Sequence, residues 1–260
     1  VTRTPLRVAS YNVRYAGLDA GRLDWSVRRD GVASLVRDID PDVLAVQEVW
    51  MDQLPDLRDR LPGYDWVAFP DRNGEHTPIA VRRRRVSVAS AGAFGLAPGG
   101  DREVTAWDAA IPRTVTHATL RDRRAPAPPD ADGRTVAVFS VHLDHAGERA
   151  RLEGARLVRD RVPDGPVVVA GDLNCQTGSP PYEALTADLT DARLAAHERD
   201  GPDRTYVGFD ADDGVSGDPA ARRIDHVLVR GCAVERYRVV PHDADAPASD
   251  HFPVVADVVP

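Results

Sequence analysis

No stretch constrains the chain more than Pro166–Asn174, PVVVAGDLN. Three valines and an alanine form a short apolar run of the kind that a sheet covered on both faces buries. Gly171 breaks the run, and Asp172 and Asn174 follow with one residue between them. Strand side chains alternate faces, so positions 172 and 174 point the same way from the strand's end. Gly, Asp and Asn are also ordinary turn formers, so GDLN in isolation reads equally well as a turn. The other strand-like runs decide between the two readings.

Leu6–Val13 reads as a strand with Asn12 near its end, and Asp42–Val46 delivers Gln47 and Glu48. Thr135–Val141 ends in His142-Leu143-Asp144-His145, and Arg223–Arg230 carries Asp225. Ser249-Asp250-His251 precedes a final strand, Phe252–Val258. An ionised carboxylate at the end of a buried strand is costly unless it has a partner. Asn is also scarce, occurring only at 12, 73 and 174, and two of the three close such runs.

Between these runs the pattern turns helical. Asp24 is a suitable N-cap for a helix over Trp25–Ile39, with Trp25, Val32, Leu35, Val36 and Ile39 on one face and Pro41 beyond its end. Further helices are expected over Trp50–Leu61, Glu148–Val162 and Ser179–Ala187, the last with Pro180 and Pro181 in its first turn. Ile79–Arg82 and Val86–Ala93 read as strands around a solvated basic turn, Arg82–Arg85. Arg113–Leu120 and Val234–Val240 are also strand-like. Arg121–Gly133, rich in Pro, Ala and Asp, reads as a surface excursion rather than a linker. Alternation of strands and helices over residues 1–260 suits one α/β domain, with specificity expected in the loops Asp71–Pro78, Gly95–Ile111 and Arg199–Arg222.

Composition narrows the partners. The net charge is −8, from 41 acidic and 33 basic residues, every basic one an Arg. A non-specific binder of long nucleic acid carries a basic footprint, so this balance favours a small phosphate ester, with nucleic acid a less favoured partner. No apolar run approaches the roughly 20 residues of a membrane span. Cys175 and Cys232 make no disulfide framework, and Cys175 reads as a small buried hydrophobe. The chain reads as a soluble monomer, cytoplasmic or exported after removal of a leader.

Carboxylate and carboxamide oxygens at so many strand ends suit Mg²⁺ or Mn²⁺, whereas zinc sites use more His or Cys. With two histidines they describe metal-assisted attack of water on a phosphate ester. No GxSxG elbow, P-loop or GxGxxG supports acyl transfer, a nucleotide switch or hydride transfer.

SYNV, QE, HLDH, GDLN, RID and SDHFPV, in that order, resemble the endonuclease/exonuclease/phosphatase (deoxyribonuclease-like) superfamily, over about Leu6 to Val258. The resemblance implies a four-layer α/β sandwich, two mixed β-sheets face to face with helices outside, and a site at one end. It implies a Mg²⁺- or Mn²⁺-dependent phosphoric ester hydrolase acting on a mono- or diester, with a small molecule or nucleotide as substrate. A nuclease using the same residues is the alternative within this chemistry, and a non-catalytic phosphate-binding module the alternative outside it. By resemblance Asn12 and Glu48 match metal-site positions, with Glu48 the principal ligand, and Asp250 matches a second metal-site or water-orienting carboxylate. Asp172 matches the residue that activates water, Asn174 the one that holds a phosphate oxygen, and His251 the catalytic histidine oriented by Asp225. His142 matches a histidine near the leaving group, and His145 a phosphate contact of some relatives. Arg113 reads as a phosphate contact or, equally, a surface salt bridge, and Glu75 as a solvated loop residue rather than a support for His142.

Overall fold

The computed structural model describes residues 4–50, 52–69, 75–124, 135–209, 223–243 and 246–260. In chain order the strands and α-helices are β1 (Leu6–Asn12), α1 (Trp25–Ile39), β2 (Val43–Gln47), β3 (Val49–Trp50), α2 (Gln53–Arg60), β4 (Tyr64–Val67), β5 (Glu75–His76), β6 (Ile79–Arg82), β7 (Val86–Gly95), β8 (Thr114–Asp122) and β9 (Thr135–His142). They continue with α3 (Glu148–Arg159), β10 (Val167–Asp172), α4 (Pro180–Thr186), β11 (Thr190–Asp191), α5 (Ala192–Ala195), β12 (Glu198–Asp200), β13 (Asp225–Arg230), β14 (Ala233–Val239) and β15 (Val254–Val259).

Two large mixed sheets form. One has the order β12-β14-β15-β1-β2-β6-β4, the other β11-β13-β10-β9-β8-β7, and β3 pairs with β5 in a separate ribbon. The alternation of each central strand decides where its side chains go. Val8, Val43 and Ala45 of the first sheet meet Val138, Val168, Ala170 and Val227 of the second in one core between the sheets. The intervening residues face outward: Ala9, Leu44 and Val46 pack under α1 and α2. Val141, Val167 and Val169 pack under α3 and α4. The result is a four-layer α/β sandwich. Burial on both faces is why these strands read as unbroken apolar runs.

The inward-facing sets continue past the apolar core to one end of the sandwich. Ser10, Gln47 and Ser140 come first, all fully buried. Gln47 Oε1 accepts from Ser10 Oγ at 3.3 Å, and its Nε2 donates to Ser140 Oγ at 3.3 Å, so this polar layer satisfies itself. Asn12, His142, Asp172 and Asp225 occupy the next inward level. Sheet register sets three of them abreast, because Asp172 of β10 is the direct partner of His142 on β9 and of Asp225 on β13.

Element boundaries differ from the sequence expectation where pairing or proline intervenes. The helix expected from Trp50 begins at Gln53, because Val49 and Trp50 pair with His76 and Glu75. The last strand begins at Val254 instead of Phe252, whose N–H is taken by Thr205 O, and Pro253 has no N–H for the ladder. Helix α3 stops at Arg159, short of Val162, ahead of Pro163. Arg82–Arg85 is the expected hairpin turn but is ion-paired, with Arg85 reaching Asp40 and Asp42 and Arg83 reaching Asp65. It also lies beside Asp42, at the opposite end of β2 from Gln47. Residues 125–134 of the expected excursion lie outside the described residues, and β8 and β9 on either side pair as antiparallel neighbours. Cys175 and Cys232 are both free thiols, and burial pushes each up to about 11. Among the described residues no helix is long and apolar enough to cross a membrane.

Gly171 is where the sheet demands its smallest residue. A Cβ there would fall 1.8 Å from the carbonyl oxygen of Val141, inside any real contact. Gly171→Ala must therefore push β10 away from β9, and overpacking of this kind costs about 1–3 kcal/mol or more. We expect urea denaturation to show a loss in that range. A midpoint unchanged from wild type would mean that the strands do not pack this closely.

Candidate active site

The strand ends deliver their side chains to a cavity of about 480 Å³ lined by Arg14, Glu48, His142, Asp172, Asn174, Asp250 and His251, among others. Asp172, on its wall, links several of these groups. Its Oδ2 accepts from Asn12 Nδ2 at 3.0 Å, and the Nε2 atoms of His142 and His251 face the same oxygen at 3.6 and 3.8 Å. Its Oδ1 accepts the backbone N–H of Asn174 at 2.9 Å. Asn12 Nδ2 also donates to Glu48 Oε1 at 2.9 Å, so one carboxamide spans carboxylates from the two sheets. The amide orientation follows from its other end, where Asn12 Oδ1 accepts the Arg14 N–H at 3.0 Å. Asn12 therefore presents donors to Glu48 and Asp172.

Each histidine is held from behind by a carboxylate. His251 Nδ1 pairs with Asp225 Oδ2 at 2.8 Å, and His142 Nδ1 with Glu75 Oε1 at 2.9 Å. Glu75 is thus no solvated loop residue. Pairing of β5 with β3 carries it into the site, where it is 7% exposed. Asp225 is positioned in turn by Thr205, whose Oγ1 accepts from the Asp225 and Ile224 N–H groups at 3.1 Å. Tyr206 packs against the His251 ring with centroids 5.0 Å apart.

Arg113 is buried and is no surface salt bridge. Its NH1 lies 3.2 Å from Glu75 and 2.9 Å from His142 Nδ1, and its NH2 lies 2.9 Å from His145 Nδ1. Asp144, a neighbour of this group, is held below the ordinary carboxylate range; burial works the other way, but the N–H groups of Gly147, Ala110 and Ala146 outweigh it. Asp250 pairs with Arg14 NH1 at 3.2 Å, and Ser249 Oγ anchors the Asp250-His251 segment by donating to Asn12 O at 2.7 Å. Asn174 Nδ2 donates to Leu143 O at 2.9 Å, which commits part of the carboxamide expected to hold phosphate.

The backbone at the site is unusual. Arg14, Glu48 and Asn174 have φ of 57°, 59° and 45°, three of the five non-glycine residues in the left-handed region among the described residues. Such conformations cost of order 1–3 kcal/mol each and persist where surrounding bonds over-determine them. At Glu48 the twist turns the side chain to accept both Asn12 Nδ2 and the Tyr15 N–H.

Burial pushes the Asp172 carboxyl up, and the neighbouring Asp225 charge adds to it, against the two histidines. Burial likewise raises Asp250, assisted by Glu48. Burial alone would lower His251, but Asp225, with Asp172 and Asp250, overrides it and holds the imidazolium well above its ordinary range. Glu75 is lowered: burial opposes its charge, and the His142 hydrogen bond and Arg113 prevail. One buried carboxyl with raised proton affinity thus faces an imidazole held charged, the pairing a proton-transfer site needs.

Among the described residues, two groups of side chains bring metal-ligand atoms close together: Glu48 with His142 and Asp172, and Asp172 with Asp225 and His251. The second is already internally hydrogen-bonded through His251 and Asp225. The first opens on the cavity. The structure gathers the candidate site residues read from the sequence into one neighbourhood, brings in Glu75, which reads from sequence as solvated, and adds Arg14, Thr205 and Tyr206. Arg14 lies two residues after Asn12, a spacing visible in the sequence; Thr205 and Tyr206 carried no local signal.

Comparison with known proteins agrees with this geometry. The model of the Endonuclease/Exonuclease/phosphatase family matches residues 9–251. A search of curated proteins finds no match. Among solved structures, an endonuclease/exonuclease/phosphatase from Bacteroides vulgatus is 30% identical, with TM-score 0.87 over 99% of each chain. A mannosyl-6-phosphatase of Bacteroides thetaiotaomicron is 29% identical, with TM-score 0.84 over 98% of this chain and 99% of that one. D. rerio TDP2 complexed with a single-strand DNA product shares the fold, at 18% identity and TM-score 0.74 over 99% of this chain and 100% of that one.

The Asp225–His251 pair gives a signed expectation. Because Asp225 helps hold the imidazolium, Asp225→Asn should move the His251 titration to lower pH, by about one unit or more for loss of a close buried opposite charge. NMR of the imidazole Cε1–H in metal-free protein reads this directly. A midpoint that stays in place would show that Asp225 does not hold the charge.

Proposed function

We propose, from the premise that this chain belongs to the endonuclease/exonuclease/phosphatase family, that it hydrolyses a phosphate mono- or diester of a small molecule or nucleotide with the help of a divalent cation. One observation carries the reading. A buried carboxylate, Asp172, is fixed by Asn12 and the Asn174 N–H, faced by two carboxylate-held histidines, and opens on a carboxylate-lined cavity.

The donor set fits a hard cation. Glu48 and Asp172 offer carboxylate oxygens beside a single imidazole nitrogen, with Asp250 near enough for its charge and that of Glu48 to interact. Oxygen-rich sets of this kind suit Mg²⁺ or Mn²⁺ more than zinc. Glu48 would be the principal ligand, with Asp250 beside it, and Asn12 would orient Glu48. Such a cation, when bound, supplies charge neutralisation at the phosphoryl oxygens and polarises the phosphorus toward attack.

The chain's own residues account for the remaining steps. Asp172 accepts the proton of the attacking water at Oδ2, helped by its raised proton affinity. His251, kept charged by Asp225, stabilises the charge that develops on the phosphoryl oxygens. His142, held through Nδ1 by Glu75, presents Nε2 on the other side of Asp172, suited to the leaving-group oxygen. His145 and Arg113 border the same side, and Asn174 reaches toward the substrate from the GDLN turn. The net charge of −8 and the acidic cavity wall favour a small ester over a long polymer.

Phosphate release from sugar phosphates, nucleotides, inositol phosphates and short oligonucleotides, each with Mg²⁺ or Mn²⁺, tests the proposal. At least one class should be turned over. Asp172→Asn should cut kcat by about 10²–10⁴ with KM little changed, since a carboxamide cannot take a proton. Glu48→Gln should raise the metal concentration needed for half-maximal rate while the fold survives. Wild-type turnover that persists in excess chelator, or an Asp172→Asn enzyme of normal kcat, would sink the proposal.

A further inference from the structure

We propose that Arg14 binds substrate directly and makes the site select phosphate monoester dianions over diesters. This rests on the phosphoesterase reading above and narrows its substrate class.

Arg14 is held more firmly than a surface arginine. Its backbone N–H donates to Asn12 Oδ1, and its carbonyl accepts from Arg28 NH2 and Gln53 Nε2, each at 3.1 Å. These bonds fix the left-handed turn that aims its side chain into the cavity. The guanidinium sits edge-on to Asp19, with Nε at 3.1 Å and NH2 at 3.4 Å from its two oxygens. NH1 is turned toward Asp250 at 3.2 Å, and the Phe209 ring lies 6.0 Å from the guanidinium carbon. Asp19 engages two of the five N–H donors an arginine owns and Asp250 faces NH1, which leaves two N–H groups, one on NH1 and one on NH2, for a ligand in the cavity.

Charge then decides what Arg14 can do. The cavity wall carries Glu48, Glu75, Asp172 and Asp250, all of which repel a phosphate. A phosphate monoester near pH 7 carries about −1.5 to −2, against −1 for a diester, so a monoester needs more positive charge at the wall. Arg113 contributes little of it, because its side chain is 6% exposed and shared among Glu75, His142 and His145. Arg14 is also paired, with Asp19 and Asp250, but its side chain is 28% exposed and lines the cavity, so an entering phosphate can share it with them. Geometry points the same way. A monoester has three non-bridging oxygens, so it can give two to a guanidinium fork and keep one for the rest of the site. A diester has only two and must surrender one contact.

The test compares p-nitrophenyl phosphate with bis(p-nitrophenyl) phosphate in Mn²⁺, for wild type, Arg14→Gln and Arg14→Lys. Calorimetric binding of inorganic phosphate to metal-free protein, and thermal melts, run in parallel. Wild type should prefer the monoester. In Arg14→Gln the monoester/diester ratio of kcat/KM should fall about 10–100-fold, the worth of hydrogen bonding to a charged group, mostly through the monoester. Phosphate affinity should weaken by a similar factor, and Arg14→Lys should recover part of both. If Arg14→Gln does not fold, the Lys variant decides, because losing the fork should still weaken phosphate binding about threefold or more. Equal losses on both esters, or phosphate affinity unchanged in a folded variant, would overturn the role of Arg14 and leave the phosphoesterase reading standing. A wild type inert toward both esters and toward every substrate of the wider screen would overturn both.

Discussion

The carboxamide of Asn12 is the contact on which the site depends. It stands on one sheet, donates to Glu48 at the end of its neighbour, and donates across the gap to Asp172 on the other sheet. Two carboxylates that would repel one another are tied by two N–H bonds from a single neutral group. Beneath it, Ser10, Gln47 and Ser140 close a hydrogen-bonded layer between the charged end and the valine core. Unpaired buried polar groups are costly, and this gradation from apolar to neutral polar to charged keeps each level satisfied by the next.

The charged level is arranged about Asp172 with a histidine on either side, each backed by its own acid. The two backing acids differ in setting. Glu75 shares His142 with Arg113 and is lowered, whereas Asp225 acts on His251 with one oxygen, Oδ1, left buried without a hydrogen-bond partner. His251 is the imidazole held charged. Similar residue types thus acquire unlike proton affinities from their neighbours, and in this way one end of a sheet can take a proton at one position and stabilise charge at another.

Strain is concentrated at the same end. The left-handed backbones of Arg14, Glu48 and Asn174 lie within two residues of the ends of their strands, at Asn12, Gln47 and Asp172. In each case the chain leaves the sheet abruptly and is held by a side chain or backbone bond to the site itself. Buried Arg28 reinforces this end by donating to the carbonyls of Leu23, Val13, Arg14 and Ala248, which joins β1, the start of α1 and the segment before Asp250. The arginine run at 82–85 carries the conspicuous positive charge of the sequence, yet it sits beside Asp42 and takes no part.

The local sequence carried the strand ends. Alternation within an apolar run determines which residues face inward, and a polar side chain closing such a run is visible without any tertiary contact. That is why Asn12, Glu48, His142, Asp172, Asp225 and Asp250–His251 were legible; the sandwich came from the resemblance of the motifs that hold them, in that order, to a known family. The helix over Trp25–Ile39 was legible to the residue, since Asp24 caps it through the Ser26 N–H and Pro41 lies beyond its end. Glu75 read as a loop residue because its immediate neighbours, Asn73-Gly74 and His76-Thr77, are polar or turn-forming; only the pairing of β5 with β3 buries it against His142 and Arg113. Arg113 was ambiguous for the same reason, as burial and partners are properties of distant segments. The aim of Arg14 depends on a left-handed turn fixed by Arg28 and Gln53, and the local sequence records neither contact. Side-chain type and period are local quantities, so the sequence by itself determined what stands at each strand end. Which of those groups are charged, paired or turned toward the cavity depends on burial and on partners up to 237 residues away, and only the tertiary structure decided that.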